Sequence, residues 1–185
     1  MTKVFIGGSR HVSRLNPQLR SRIDNIVSKS FPILIGDANG ADKAVQTYLH
    51  NIDYQKVEVF CTEGICRNNI GDWQIRSIPA ASHERNAQFY SAKDRVMARE
   101  ADVGLMLWDG KSVGTLLNVV RLISAQKKVV VYVVPEKQFR EFRRQDDWRR
   151  FFANCDAEVR RKVEQRAASE MRSSAAVSQT AFPIF

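Results

Sequence analysis

The chain has 185 residues, 44% hydrophobic and 26% charged, with a formal net charge of +9 from 29 basic and 20 acidic side chains. That is enough for one compact domain with a core and an appendage, and no stretch approaches the roughly 20 apolar residues of a membrane span. Three cysteines and the lack of a cleavage-site pattern after "MTKVFIGGSR" argue against a disulfide-rich secreted scaffold, so the expected location is the cytoplasm.

In chain order, "KVFIGG" is a short apolar run closed by glycines and reads as a buried strand. "NPQLRSRIDNIVSKS" sets Leu19, Ile23, Ile26 and Val27 at helical spacing, with Pro17 near the start, where proline is tolerated. "FPILIGD" is a second strand. "NGADKAVQTYLHNI" is a helix with Ala41, Ala44, Val45 and Leu49 on one side, and "KVEVFCT" is a third strand. Residues 62–82 read as a long polar loop holding Arg67, Asn68 and Trp73. "SHERNAQFYSAKDRVMAREA" follows as a helix with Ser82 as its N-cap. "DVGLMLWD" and "KKVVVYVV" are the fourth and fifth strands, with the helix "GTLLNVVRLISAQ" between them. Continuous apolar strands separated by helices predict an α/β fold whose parallel sheet is covered on both faces.

Residues 1–134 are expected to form this domain, and 135–185 a charged helical extension ending in a loosely ordered tail from Arg172. The extension carries Phe139, Phe142, Trp148, Phe151 and Phe152, an apolar side for the sheet or for a second subunit, and a homo-oligomer is expected. Cys61, Cys66 and Cys155 are expected to be free thiols. No second cysteine pair follows at ligand spacing and His11, His50 and His83 are scattered, so no metal site is expected. The net charge suits polyanions, but residues 136–172 hold 11 basic and 8 acidic residues, so the excess forms no single patch.

The chemistry is expected at the carboxyl ends of the strands. "GGSR" (7–10), "GDANGAD" (36–42) and "WDGKSVGT" (108–115) stand there, three glycine-bearing loops with small polar residues. Glycine admits close backbone approach, and free N–H groups at a helix start bind phosphate. Together these loops predict a phosphate-bearing ligand and no separate cofactor. Arg67 is a candidate lid over an anion. Trp108 either stacks on a base or caps the core. Asp94 is either a catalytic carboxylate facing the loops or a solvated helix charge.

"IGGSR", "GDANGAD" and "KDRVMAREADVGLMLWDGKSVGT" are similar to the SLOG superfamily over residues 3–134, most of all to its YspA-like branch. That superfamily includes the LOG-type phosphoribohydrolases and the DNA-processing protein DprA. The resemblance implies a Rossmann-like three-layer sandwich, with a mainly parallel sheet of five or slightly more strands, binding a nucleotide or nucleotide-derived ligand. Carried over, Gly7, Gly8, Ser9 and Arg10 match the first glycine turn. Gly36, Asp37, Gly40, Ala41 and Asp42 fall in the second, and Asp109, Gly110, Ser112, Gly114 and Thr115 in the phosphate-binding loop. Two positions depart from LOG enzymes: Lys93 stands where they have arginine, and Asn118 where they have the catalytic glutamate. An amide is neither a general base nor a stabiliser of a ribosyl cation. The resemblance therefore favours a nucleotide sensor. A nucleotide N-glycosidic hydrolase using Asp94 and a DprA-like nucleic-acid binder remain the alternatives.

Overall fold

The computed structural model describes residues 1–80 and 87–179. In order the elements are β1 (Val4–Gly8), α1 (Pro17–Val27), β2 (Ile33–Gly36), α2 (Ala41–Asn51), β3 (Val57–Thr62), β4 (Gln74–Ile78) and α3 (Ala87–Glu100). They continue as β5 (Val103–Trp108), α4 (Val113–Ser124), β6 (Lys128–Val133), β7 (Gln138–Phe142), α5 (Gln145–Ala153) and α6 (Ala157–Gln179). One sheet runs β4-β3-β2-β1-β5-β6-β7, parallel throughout except for β7. This is the expected Rossmann-like α/β architecture. The chain works outward from β1 to β4 and then returns to β5 on the other side of β1. That reversal opens a crevice at the carboxyl ends of β1 and β5.

Both faces of the sheet are buried, which is why the strands read as unbroken apolar runs. Along β1, Phe5 enters one core while Val4 and Ile6 enter the other. Local chemistry starts the first helix: the Asn16 side chain accepts from the Leu19 amide at 2.9 Å, and Pro17 opens the first turn. Leu19 and Ile23 then bury against the sheet.

The structure corrects several expectations. The segment 62–82 is not all loop, because Gln74–Ile78 pairs with β3 as the edge strand β4. The chain after Pro135 does not become helix at once. It reverses through a turn in which Lys137 has φ 53°, and Gln138–Phe142 adds antiparallel to β6, with Phe139 opposite Tyr132. The outer edge of β6 would otherwise present a row of unpaired backbone groups. The aromatic side of the extension packs on this chain's own core. Trp148 stacks on Phe152 at 4.9 Å, and Phe142 and Phe151 lie 5.1 Å apart. The backbone is helical to Gln179, beyond the expected start of the loose tail, while residues 180–185 and the Ser82 cap lie outside the described residues. Cys61 and Cys66 are not free thiols but bonded to each other, since a bridge between Thr62 and Ile65 folds the chain back beside the end of β3. Cys155 is free and half-buried. No helix among the described residues is long and apolar enough to cross a membrane.

Candidate functional site

The crevice between β1 and β5 opens into a cavity of about 680 Å³, within the roughly 300–1,000 Å³ typical of small-molecule sites. Its rim is held by backbone. The Ser9 amide donates to the Leu107 carbonyl at 2.9 Å, and the Ala41 amide donates to the Ser9 carbonyl at 3.0 Å. Any Cβ on Gly8 would lie 2.5 Å from the Leu107 oxygen and 2.8 Å from the Ala41 Cβ. The close approach of β1, β5 and α2 therefore requires glycine there. Gly40 has φ 85°, and its added Cβ would meet the Arg10 carbonyl at 2.3 Å.

The loop after β5 is organised by Asp109. Its Oδ1 accepts from the amides of Lys111 at 3.0 Å and Ser112 at 2.7 Å, and its Oδ2 accepts from Ser9 Oγ at 2.7 Å. His11 Nδ1 lies 3.2 Å from the same oxygen. Burial works against the Asp109 charge, but the Ser9 hydroxyl and the two amides outweigh it and hold the carboxyl below its ordinary pKa. Ser112 caps α4, accepting from the Thr115 amide at 3.3 Å. The amides of Val113 and Gly114 belong to the first turn, where no intrahelical carbonyl is available. Nothing lies within 4 Å of where a Gly114 Cβ would stand. The α4 N-terminus thus presents donors and the positive end of its dipole to open space inside the cavity.

The floor is a chain of charged contacts. Arg67 donates to Asp37 from its backbone N at 3.0 Å, Nε at 3.0 Å and a terminal nitrogen at 2.8 Å. Lys93, only 4% exposed, stands 3.6 Å from Asp37 and 3.1 Å from Asp94. Asn118 donates to Asp94 at 3.4 Å, Arg121 donates to Asn118, and Arg121 Nε donates to Glu170 at 3.0 Å. The ionised forms prevail along this chain. Burial opposes the charge on Asp37, but Arg67 and Lys93 lower its pKa. Asp94 is lowered against burial by Lys93 and Arg121. Lys93 is raised against burial by Asp94, Asp42 and Asp37. Asp42 is the exception: burial wins over the Lys93 charge and pushes its carboxyl up to about 6. A Cβ on Gly36 would stand 2.4 Å from both Asp42 Oδ2 and Lys93 Nζ, so this glycine leaves the room the pair occupies.

Thirteen of the residues expected in the site line the cavity: Gly7, Gly8, Ser9, Arg10, Asp42, Arg67, Lys93, Asp94, Asp109, Ser112, Gly114, Thr115 and Asn118. Gly36, Asp37, Gly40 and Ala41 lie behind the wall and shape it, Asp37 as the anchor of Arg67. Trp108 and Gly110 do not line this cavity. They face a second groove on the far side of the loop, beside α5. The Trp108 ring lies edge-on to Phe151 at 5.6 Å and its Nε1 donates to the Ser112 carbonyl at 3.2 Å, so it caps the core. Trp73 is structural as well, with Nε1 donating to the Tyr54 carbonyl at 2.9 Å. Asp94 is not a solvated helix charge, because Lys93 and Asn118 hold it at the cavity wall. Among the described residues, the group able to gather three metal donors is Asp37, Cys61 and Cys66, but the sulfurs are bonded to each other and the carboxylate is taken by Arg67.

The sequence reading missed Tyr90 and the contribution of α6. Tyr90 lines the cavity with the Arg10 and Arg67 guanidinium groups at 5.4 and 4.6 Å from its ring centre. Arg166, Ser169 and Glu170 bring α6 to the cavity wall. No local pattern marks them, since they reach the site only because α6 packs on α4.

A scan against protein-family models gives no match, and a search of curated proteins gives none. Among solved structures, the chain is similar to the one described as "Structural insights into the unique single-stranded DNA binding mode of DNA processing protein A from Helicobacter pylori". The TM-score is 0.51 at 22% identity, over 70% of this chain and 64% of that one, so this chain matches somewhat less than two thirds of that protein. The likeness is one of fold. It agrees with the part of the SLOG resemblance that includes DprA.

Proposed function

We propose that this protein binds a nucleotide or nucleotide-derived ligand, as in the YspA-like branch, and senses it without cutting it. The supporting observation is the α4 N-terminus, with Gly114 open to a 680 Å³ cavity that the loops after β1 and β2 also wall. In this reading the ligand phosphate sits on the first turn of α4, and Asn118 and Asp94 face its ribose hydroxyls. Binding is favoured over cleavage because a ribosyl bond breaks with positive charge building on the sugar. Glutamate is absent at position 118, and the Asp94 charge is already compensated by Lys93 at 3.1 Å. Incubation of the wild type with adenosine 5′-monophosphate should therefore release no adenine. Release that survives repurification and is abolished by Asp94→Asn would make the protein a hydrolase.

Thermal shift with a nucleotide panel tests the binding reading, since a ligand at 100 times its Kd adds about 2.7 kcal/mol. Nucleic-acid binding is the second reading, favoured by the fold shared with a protein described as binding single-stranded DNA and by the net charge of +9. A gel shift on single-stranded DNA that weakens steeply with salt would support it.

A further inference from the structure

The cavity is lined by charged groups of two kinds, those already paired and those without a carboxylate partner among the described residues. In the floor Lys93 pairs with Asp94 at 3.1 Å, and Asp42 accepts from the Ala38 amide at 3.1 Å. Arg10, Lys111 and Arg166 come from three separate segments: the loop after β1, the loop before α4, and α6. All three are exposed where they meet the cavity, and none has an ion pair with a carboxylate among the described residues. The fixed cations have other work. Arg67 is held by Asp37 and Arg121 by Glu170. The α4 first turn can satisfy one phosphate group by itself. Three further cations lining the same cavity exceed what one phosphate needs.

We propose that the cavity takes a ligand with two linked phosphate groups, a nucleoside diphosphate or an ester of one. This rests on the nucleotide reading above. The phosphate nearest the ribose sits on the first turn of α4, and the second lies among Arg10, Lys111 and Arg166. Helix α6 is thus part of the site, supplying in Arg166 a residue that sets how many phosphates the ligand carries. Its placement is fixed by the Arg121–Glu170 contact one turn further along α6. Arginine suits this position because its fork pairs with two phosphate oxygens at once.

The test is calorimetric titration of the full chain with adenosine 5′-monophosphate and adenosine 5′-diphosphate, for the wild type and for Arg166→Gln and Lys111→Gln. Both substitutions lie on exposed surface and keep helix- or loop-compatible polar side chains, and circular dichroism confirms the fold. The wild type is expected to bind the diphosphate at least tenfold more tightly. Each variant should reduce that ratio to about threefold or less. Equal affinity of the wild type for the two nucleotides overturns the two-phosphate assignment and leaves the nucleotide reading standing. A tenfold preference that survives in both variants overturns the role given to α6 and Lys111. Binding of neither nucleotide overturns the nucleotide reading and this inference with it.

Discussion

Asp42 is a buried carboxylate held beside two others, and its environment works against its charge. Its folded pKa of about 6 lies above the ordinary value of 3.8. Between these values the folded state binds more protons than the unfolded one, so this group's contribution to stability declines as pH rises from 3.8 through about 6. Asp37, Asp94 and Asp109 are shifted the other way, and their contributions are present above the ordinary carboxylate range and fade as pH falls. Asp42→Asn removes the opposing member. Its oxygen can still accept from the Ala38 amide, as Oδ2 does now at 3.1 Å. Denaturant unfolding at pH 4 and pH 8 should show the variant gaining on the wild type by about 2 kcal/mol between the two. The same difference at both pH values would mean that the carboxylate carries no burial penalty. Single residues of this kind were only half legible in the sequence. Asp42 and Lys93 stand in recognisable motifs, but that they meet over Gly36 depends on α2 and α3 converging. The sequence left Trp108 with two readings because a strand-end aromatic looks the same whether it faces a ligand or, as its ring does here, Phe151 of α5.

At the scale of elements, the strands that run through the middle of the sheet declared themselves because both their faces are buried. The two edge strands did not. Gln74–Ile78 and Gln138–Phe142 are mostly exposed, so their residues lack the unbroken apolar run, and Phe139 and Phe142 fall three apart as they would on a helix. What places β7 is the turn after β6 and the free edge it covers, neither of which is a periodicity. The aromatic cluster beyond it bolts α5 to the sheet. Trp148, 9% exposed, packs against Phe142 at 5.7 Å and Phe152 at 4.9 Å. Trp148→Ala should lower unfolding stability by about 3 kcal/mol, within the range for large aromatic deletions, without changing the mass seen by light scattering. A changed mass with unchanged stability would show that the aromatics cover a partner subunit. The ion pair between α4 and α6, Arg121–Glu170, acts in the same way on the site. Glu170→Ala leaves Arg121, 11% exposed on its side chain, with Asn118 as its other side-chain partner, and is expected to cost about 1–3 kcal/mol in a urea titration. No loss there would mean that α6 is held by its apolar contacts alone.

For the whole molecule, the strand order decides where chemistry can happen. The reversal between β1 and β5 gathers three loops, two far apart in sequence from the third, around the first turn of α4. The three glycine motifs made that gathering legible from the sequence. The extent of the cavity was not, because α6 reaches it only after the chain has added β7 and α5. The central claim is that a nucleotide phosphate sits on the α4 N-terminus, and Gly114→Glu tests it with little risk to the fold. The site of the new side chain is open space, and an acidic residue in the first turn suits the helix dipole by a few tenths of a kcal/mol. In the cavity, however, it places bulk and negative charge where the phosphate belongs. Calorimetric titration of adenosine 5′-diphosphate into wild type and Gly114→Glu is the direct measurement. The account predicts saturable binding to the wild type and at least a hundredfold loss in the variant, with equal thermal stability of the two unliganded proteins. Equal affinity in both would contradict it.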